Sequence, residues 1–287
     1  VLGALAQVFP AVSRHRTARA AVHAALILYT LLAIGPILLV LVNSFKARKA
    51  IFGDPLALPT AETFSLVGYN SVISKADFAL YFANSVIVTL VSLAAVLLTG
   101  AMSAWALTEY RFRGNTIIAL YMAIGIMVPI RLGSVSILKF MVDLGLVNTL
   151  TALILVYTAM GLPLAILILG EFIQQIPRDL RDAARCDGVS EYRIFWSVIL
   201  PLIRPAVATV AVFTMVPIWN DLWFPLILAP GRETQTVTLG VQQFIGQYVT
   251  DWNAVLASLS LAIAPILVLY VLFSRSLVRG LTAGAVK

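Results

Sequence analysis

Hydrophobic residues run along this chain in long unbroken blocks, not at the short spacings of half-buried helices or strands. Residues 20 to 45, 78 to 108, 144 to 170 and 252 to 274 contain no Asp, Glu, Lys or Arg. Two further blocks, 114 to 138 and 205 to 231, each hold one charge, Arg131 in the first and Asp221 in the second. About 20 apolar residues in a helix cross the hydrocarbon core of a bilayer. The pattern therefore predicts six transmembrane helices, at about 21–43, 84–108, 115–138, 148–170, 203–229 and 253–276. Strands of a membrane barrel would be shorter and alternating, so the fold class is all-α, a polytopic membrane protein.

Punctuation refines these spans. Pro36, Pro163 and Gly161 sit inside helices, where neighbouring helices can satisfy the freed backbone groups. Val128-Pro129-Ile130-Arg131 gives the third helix a broken character. In the second helix Gly100, Ala101, Ser103 and Ala104 form a small-residue face suited to close helix approach. Two long polar connections remain on one side, about 44–83 and 230–252, and one on the other, about 171–202. A short tail occupies 277–287, and the whole of 1–287 reads as one transmembrane domain.

Composition agrees: 61% of the 287 residues are hydrophobic and 11% charged, and the mean hydropathy is +0.97. A water-soluble core of this size cannot hide that much apolar surface. The net charge of +7 is a matter of topology, because basic residues collect in cytoplasmic loops. Placing both termini in the cytoplasm puts thirteen Lys and Arg inside, among them Arg14, Arg111, Arg178, Arg193 and Arg275, and six outside. No nucleic-acid partner is implied. The basic start around Arg14, Arg16 and Arg19 suits anionic membrane lipid, and the first residue, Val1, leaves room for a preceding segment. A single cysteine, Cys186, excludes a disulfide within the chain, and His15 and His23 lack metal-ligand spacing, so no metal is expected.

The inside connection is dense in charge. Pro177 suits the first position of a helix and Gly188 the left-handed residue just past its end. Leu180, Ala183, Ala184 and Val189 fall towards one side, with Arg178, Asp179, Arg181, Asp182, Arg185 and Asp187 elsewhere. Ser190 starts a second helix that leads into Ile194 to Pro201. Pattern alone leaves equal room for a helix resting on lipid headgroups and for one docked on a protein partner.

Asp182-Ala183-Ala184-Arg185-Cys186-Asp187-Gly188, continuing to Val198-Ile199-Leu200-Pro201, resembles the E-A-A-x-x-x-G-x9-I-x-L-P signature of permease subunits in bacterial ABC importers. Spacing agrees throughout, with Asp182 in place of Glu and Val198 in place of Ile. The ending Arg279 to Lys287, Met127-Val128-Pro129 and Trp219-Asn220-Asp221 are similar to the smaller six-helix permease of maltose-type carbohydrate importers. The resemblance implies that Asp182, Ala183, Ala184, Asp187, Gly188, Leu200 and Pro201 belong to a coupling helix between helices four and five that fits a cleft on a cytoplasmic ATPase, and that Gly280, Leu281 and Thr282 of the tail touch the same partner. It further implies a homologous second permease, two ATPase subunits carrying ATP and magnesium, an extracytoplasmic sugar-binding protein, and residence in the bacterial inner membrane. No cofactor is expected in this chain itself.

Charges inside spans are costly and usually paired or functional. At 1.5 Å per residue, Arg131 and Asp221 lie roughly 24 and 27 Å from the inner starts of their helices, both in the outer half, as ion-pair partners or facing water. Trp219, Asn220 and Asp221 combine aromatic faces with hydrogen-bonding groups, which suits a sugar pathway or gate. Trp223 and Phe224 fit an aromatic belt at the membrane boundary. An Arg131 that faces the pathway would favour an acidic sugar. The chain has no G-x-x-x-x-G-K-[ST] loop and no nucleophile–base pattern, so it is expected to be a transporter subunit and not an enzyme. An ion-coupled secondary transporter is the rival, against which stands the lack of an internal repeat.

Overall fold

The computed structural model describes residues 9–75, 77–246 and 250–283. Each hydrophobic block is helical, but not each is one straight helix. The elements are α1 (Phe9–Ser44), α2 (Arg48–Gly53), α3 (Val67–Lys75), α4 (Phe78–Glu109), α5 (Asn115–Met127), α6 (Ser134–Asp143), α7 (Leu150–Gln174), α8 (Arg178–Cys186), α9 (Glu191–Leu202), α10 (Arg204–Asn220), α11 (Trp223–Leu228), α12 (Val237–Val241) and α13 (Trp252–Ala283). A 3-10 turn, Ile130–Gly133, joins α5 to α6. Among the described residues β-structure is confined to two isolated bridges, Lys46 with Phe64 and Ile245 with Thr250.

Three stretches, Arg19–Ser44, Phe78–Glu109 and Leu150–Gln174, are long and apolar enough to cross a membrane unaided. The block predicted as a single third span is broken: α5 and the helical run Ile130–Asp143 meet at 91°. The reason is local. Pro129 disfavours helical geometry at Val128, which is extended at ψ 120°. The predicted fifth span also stops early, because α10 ends at Asn220 and Asp221 is extended. Arg204 at the start of α10 follows an elbow of 76° from α9.

α4 and α7 lie side by side at the centre, and their glycines set the approach. A Cβ at Gly100 would stand 2.8 Å from the Ala165 Cβ, and one at Gly161 would stand 2.7 Å from a Val96 methyl. The predicted small-residue face is thus a real contact. One apolar cluster, including Trp105, Leu169, Ile173, Ile194, Phe195 and Ile199, joins α4 and α7 to α9. A second joins α7 to α6 and α11 at the far end through Val156, Tyr157, Met141, Phe224 and Leu228. A third gathers Tyr81, Val237, Phe244 and Val255. The connection expected as an outside loop at 230–252 is therefore partly folded inward, with Val237, Leu239, Gly240 and Val241 of α12 buried. Phe224, expected in an aromatic belt, is 2% exposed in the second cluster, whereas Trp223 is open.

Candidate functional site

Two polar constellations stand out, at opposite ends of the bundle. The first is built on α8. Its stop signal reads as the sequence predicts: Gly188 has φ +72°. The Val189 N–H bonds the Ala184 carbonyl at 3.0 Å and the Gly188 N–H bonds the Arg185 carbonyl at 2.9 Å, the paired closure of a Schellman motif. Pro177 sits one position earlier than expected, in the extended residue before the helix.

The packing face of α8 differs from the apolar side expected. Leu180 and Ala183 point outward, and the one buried residue of the helix is Arg181. Its guanidinium lies 5.8 Å from the Trp105 ring centre, donates to the Ile176 carbonyl at 3.3 Å, and is paired with Glu109. One turn on, Arg185 takes the other oxygen of Glu109, Asp182 at 2.9 Å and Glu191 at 2.7 Å. Tyr110 donates to Glu191 at 2.8 Å. Hydrogen bonds from Arg185 hold the Glu191 carboxyl below its ordinary range, while Glu191 and Glu109 together raise Arg185. Burial and the bond to Glu191 raise the Tyr110 hydroxyl.

With Arg181 and Arg185 turned inward, Arg178, Asp179, Asp182, Ala183, Cys186, Asp187 and Gly188 are left exposed and Ala184 half-buried. Leu200 and Pro201 lie behind them in α9, partly covered. Pro201 has no N–H for the carbonyl four residues back, and the turn Phe195–Ile199 widens to π geometry, closed by the Leu200 N–H on the Phe195 carbonyl.

The second constellation surrounds Asp221. Its carboxylate caps α11, accepting from the N–H groups of Trp223 at 3.3 Å and Phe224 at 3.1 Å. It also accepts from the Tyr157 hydroxyl at 2.9 Å and lies 3.6 Å from Arg131, whose side chain is 70% exposed. The two intramembrane charges are thus partners. They line a cavity of about 260 Å³ with Tyr157, Thr214, Phe213 and Met160. Trp219 and Asn220, expected beside them, face elsewhere and line a separate recess with Gln242 and Ala262. The Trp219 indole donates to the Ala262 carbonyl at 3.0 Å and is 5% exposed, and Asn220 bonds back to the Val216 carbonyl. The backbone places Gly280, Leu281 and Thr282 on α13; the contacts expected of them, like the residues after Ala283, lie outside what is described.

Residues 96–283 match the family of binding-protein-dependent transport system inner membrane components. The chain belongs to this family. The permease is 34% identical to the diacetylchitobiose uptake system permease protein NgcG of Streptomyces coelicolor, over 96% of this chain and 91% of that one. It is 30% identical to the arabinooligosaccharides transport system permease protein AraQ of Halalkalibacterium halodurans, over 89% and 92% respectively. Among solved structures, it shares its fold with a chain of a bacterial ABC transporter that imports the acidic polysaccharide alginate, with a TM-score of 0.76, 21% identity, and coverage of 88% and 94%.

Sequence reasoning passes over several members of both sites. Glu109 is the acid in the last turn of α4, where the helix dipole disfavours an anion, and that misplacement is the signal that it has cationic partners. Glu191 occupies the first turn of α9, a place where an acid needs no further explanation, so nothing marks it. Tyr157 and Thr214 sit among apolar residues of long spans, and only the packing of α7 against α10 reveals them.

Proposed function

We propose that this permease is one of two membrane subunits of a bacterial inner-membrane importer that moves a sugar or oligosaccharide by alternating access. Two cytoplasmic ATPase subunits with ATP and magnesium drive it, and an extracytoplasmic sugar-binding protein supplies it. The whole chain acts as a single transmembrane domain with cytoplasmic termini. The connection 171–202 meets the ATPase, the last residues of α13 lie against the same partner, and the binding protein docks on the connections 44–83 and 230–252.

The observation that carries the reading is the presentation of α8. A short helix with two of its three arginines, Arg181 and Arg185, folded inward and Asp182, Ala183, Asp187 and Gly188 turned outward offers a small-residue surface with anionic register marks, suited to a close-fitting protein cleft. A helix made to rest on anionic lipid would turn its arginines outward, whereas here Arg178 alone of the three is exposed, beside Asp179, Asp182 and Asp187. Kinship with sugar permeases along nearly the whole chain supports the substrate class. The test is co-purification: the tagged permease is expected to bring down a second permease and an ATPase whose hydrolysis rises with a sugar-loaded binding protein. Isolation of the permease alone, or hydrolysis indifferent to that protein, would overturn the reading.

An acidic sugar is favoured by the exposed Arg131 at the mouth of the Asp221 cavity. Arg131→Gln is then expected to lower uptake of an acidic oligosaccharide about tenfold or more, the scale of a lost charge-assisted contact, and that of a neutral one far less. Equal losses in paired uptake assays would remove this preference.

A further inference from the structure

The attachment of α8 to the membrane helices is unusual in what it lacks. None of its apolar residues is buried; Leu180 is 49% exposed and Ala183 is open. What goes inward is Arg181, 4% exposed, and beside it Arg185. Both end on one group, the Glu109 carboxylate, each on its own oxygen. Spaced i and i+4, the two guanidiniums stand above one another on a single face of α8 and close on Glu109 as a pair of jaws.

The setting of Glu109 sharpens the point. An acid at the C-terminal end of a helix works against that helix's dipole, so it does not serve α4. Its side chain is 11% exposed, and Trp105, one turn back on α4, lies under Arg181. α4 thus supplies both a ring and a carboxylate to the same cation. Without Glu109, Arg181 would keep only the Ile176 carbonyl and the Trp105 ring, and its Nε already lacks an acceptor. Ala184 and Val189 add partly buried apolar contacts beside the jaws.

We propose that Glu109 is a positioning residue of the transport cycle: through it, displacement of α8 is delivered to α4 and so to the helices packed on α4. It touches no substrate and acts through Arg181 and Arg185. This inference rests on the reading of α8 as the ATPase contact. The outward face of α8 stays available without Glu109, so the clamp and the docking surface are separable.

The test uses the complete importer in proteoliposomes, with Cys186→Ser removing the native thiol. Spin labels on Ile73→Cys and Leu132→Cys, exposed positions at the end far from α8, report the distance between α3 and the α5–α6 break. Trapping with ATP, magnesium and vanadate should shift that distance in the parent complex. Glu109→Gln is expected to retain its ATPase subunits and trap nucleotide to within twofold of the parent, yet lose at least half of the shift. Glu109→Asp, which keeps the charge, is expected to recover most of it. A full shift in Glu109→Gln overturns the proposal, and so does loss of the ATPase subunits from both variants, which would make Glu109 a folding residue only. A parent complex that holds no ATPase or shows no shift refutes the reading of α8, and this inference falls with it; the failure then lies with the parent and not the variant.

Discussion

One carboxylate, Asp221, answers to three hydrogen-bond donors, the Tyr157 hydroxyl and the backbone N–H groups of Trp223 and Phe224, and to the Arg131 guanidinium as an ion pair at 3.6 Å. Removing a donor and removing the acceptor should therefore differ. Tyr157→Phe loses one hydrogen bond, worth about 1 kcal/mol. Asp221→Ala also strands a buried phenol and uncaps α11, and should cost about 2–3 kcal/mol. Thermal unfolding of the purified permease ranks them, and equal shifts would mean that the carboxylate is not the hub. Glu191 gives a pH signature. Its folded value is depressed by Arg185, so the stability it contributes is fully present above the unfolded value, roughly pH 4.3, and is lost as pH falls through the lower folded value. The melting difference between the parent and Glu191→Gln should be constant near neutrality and close only in strong acid. A difference that closes on the alkaline side would contradict the assignment.

At the level of elements, the helical character and order of the apolar blocks were legible because unbroken apolar stretches leave few alternatives in lipid, and the stop of α8 was legible because Gly188 takes a conformation in which other residues are strained. What stayed hidden depends on neighbours. Val128-Pro129 announces a break, but the 91° turn also involves Gly125 against Pro163 of α7, where a Cβ would stand 3.2 Å from the proline ring. Asp221 marks a charge but not the extended residue that ends α10. The inward face of α8 was misjudged because arginine is ordinarily a surface residue, and the carboxylate that draws it inward is 72 positions away. Two element-scale outcomes follow. Gly161→Val should push α7 off α4 and cost about 1–3 kcal/mol as overpacking, seen as a lower melting temperature. Gly188→Val strains a left-handed residue by about 1–2 kcal/mol. That variant and, separately, Asp182→Lys on the same surface should each abolish uptake while leaving membrane insertion intact. Normal uptake by both variants would sink the docking role of α8.

Across the whole molecule, the two polar sites sit at opposite ends of a bundle whose central pair, α4 and α7, is common to both. α4 carries Glu109 at one end, and α7 carries Tyr157 near the other. The first helix stands apart from this core, with the apolar window of Arg19–Ser44 unburied except where α1 meets α13. Its far end is nevertheless tied down. Lys46 is 1% exposed, with its ammonium on the carbonyls of Asp54 and Pro55, and its own carbonyl accepts from Asn253, 207 residues later in the chain, at 2.7 Å. That bond imposes an order on biosynthesis. α1 cannot be fastened until the start of α13 has emerged from the ribosome, so nascent chains halted before Asn253 should expose the Lys46 segment to protease, and chains released beyond it should protect it.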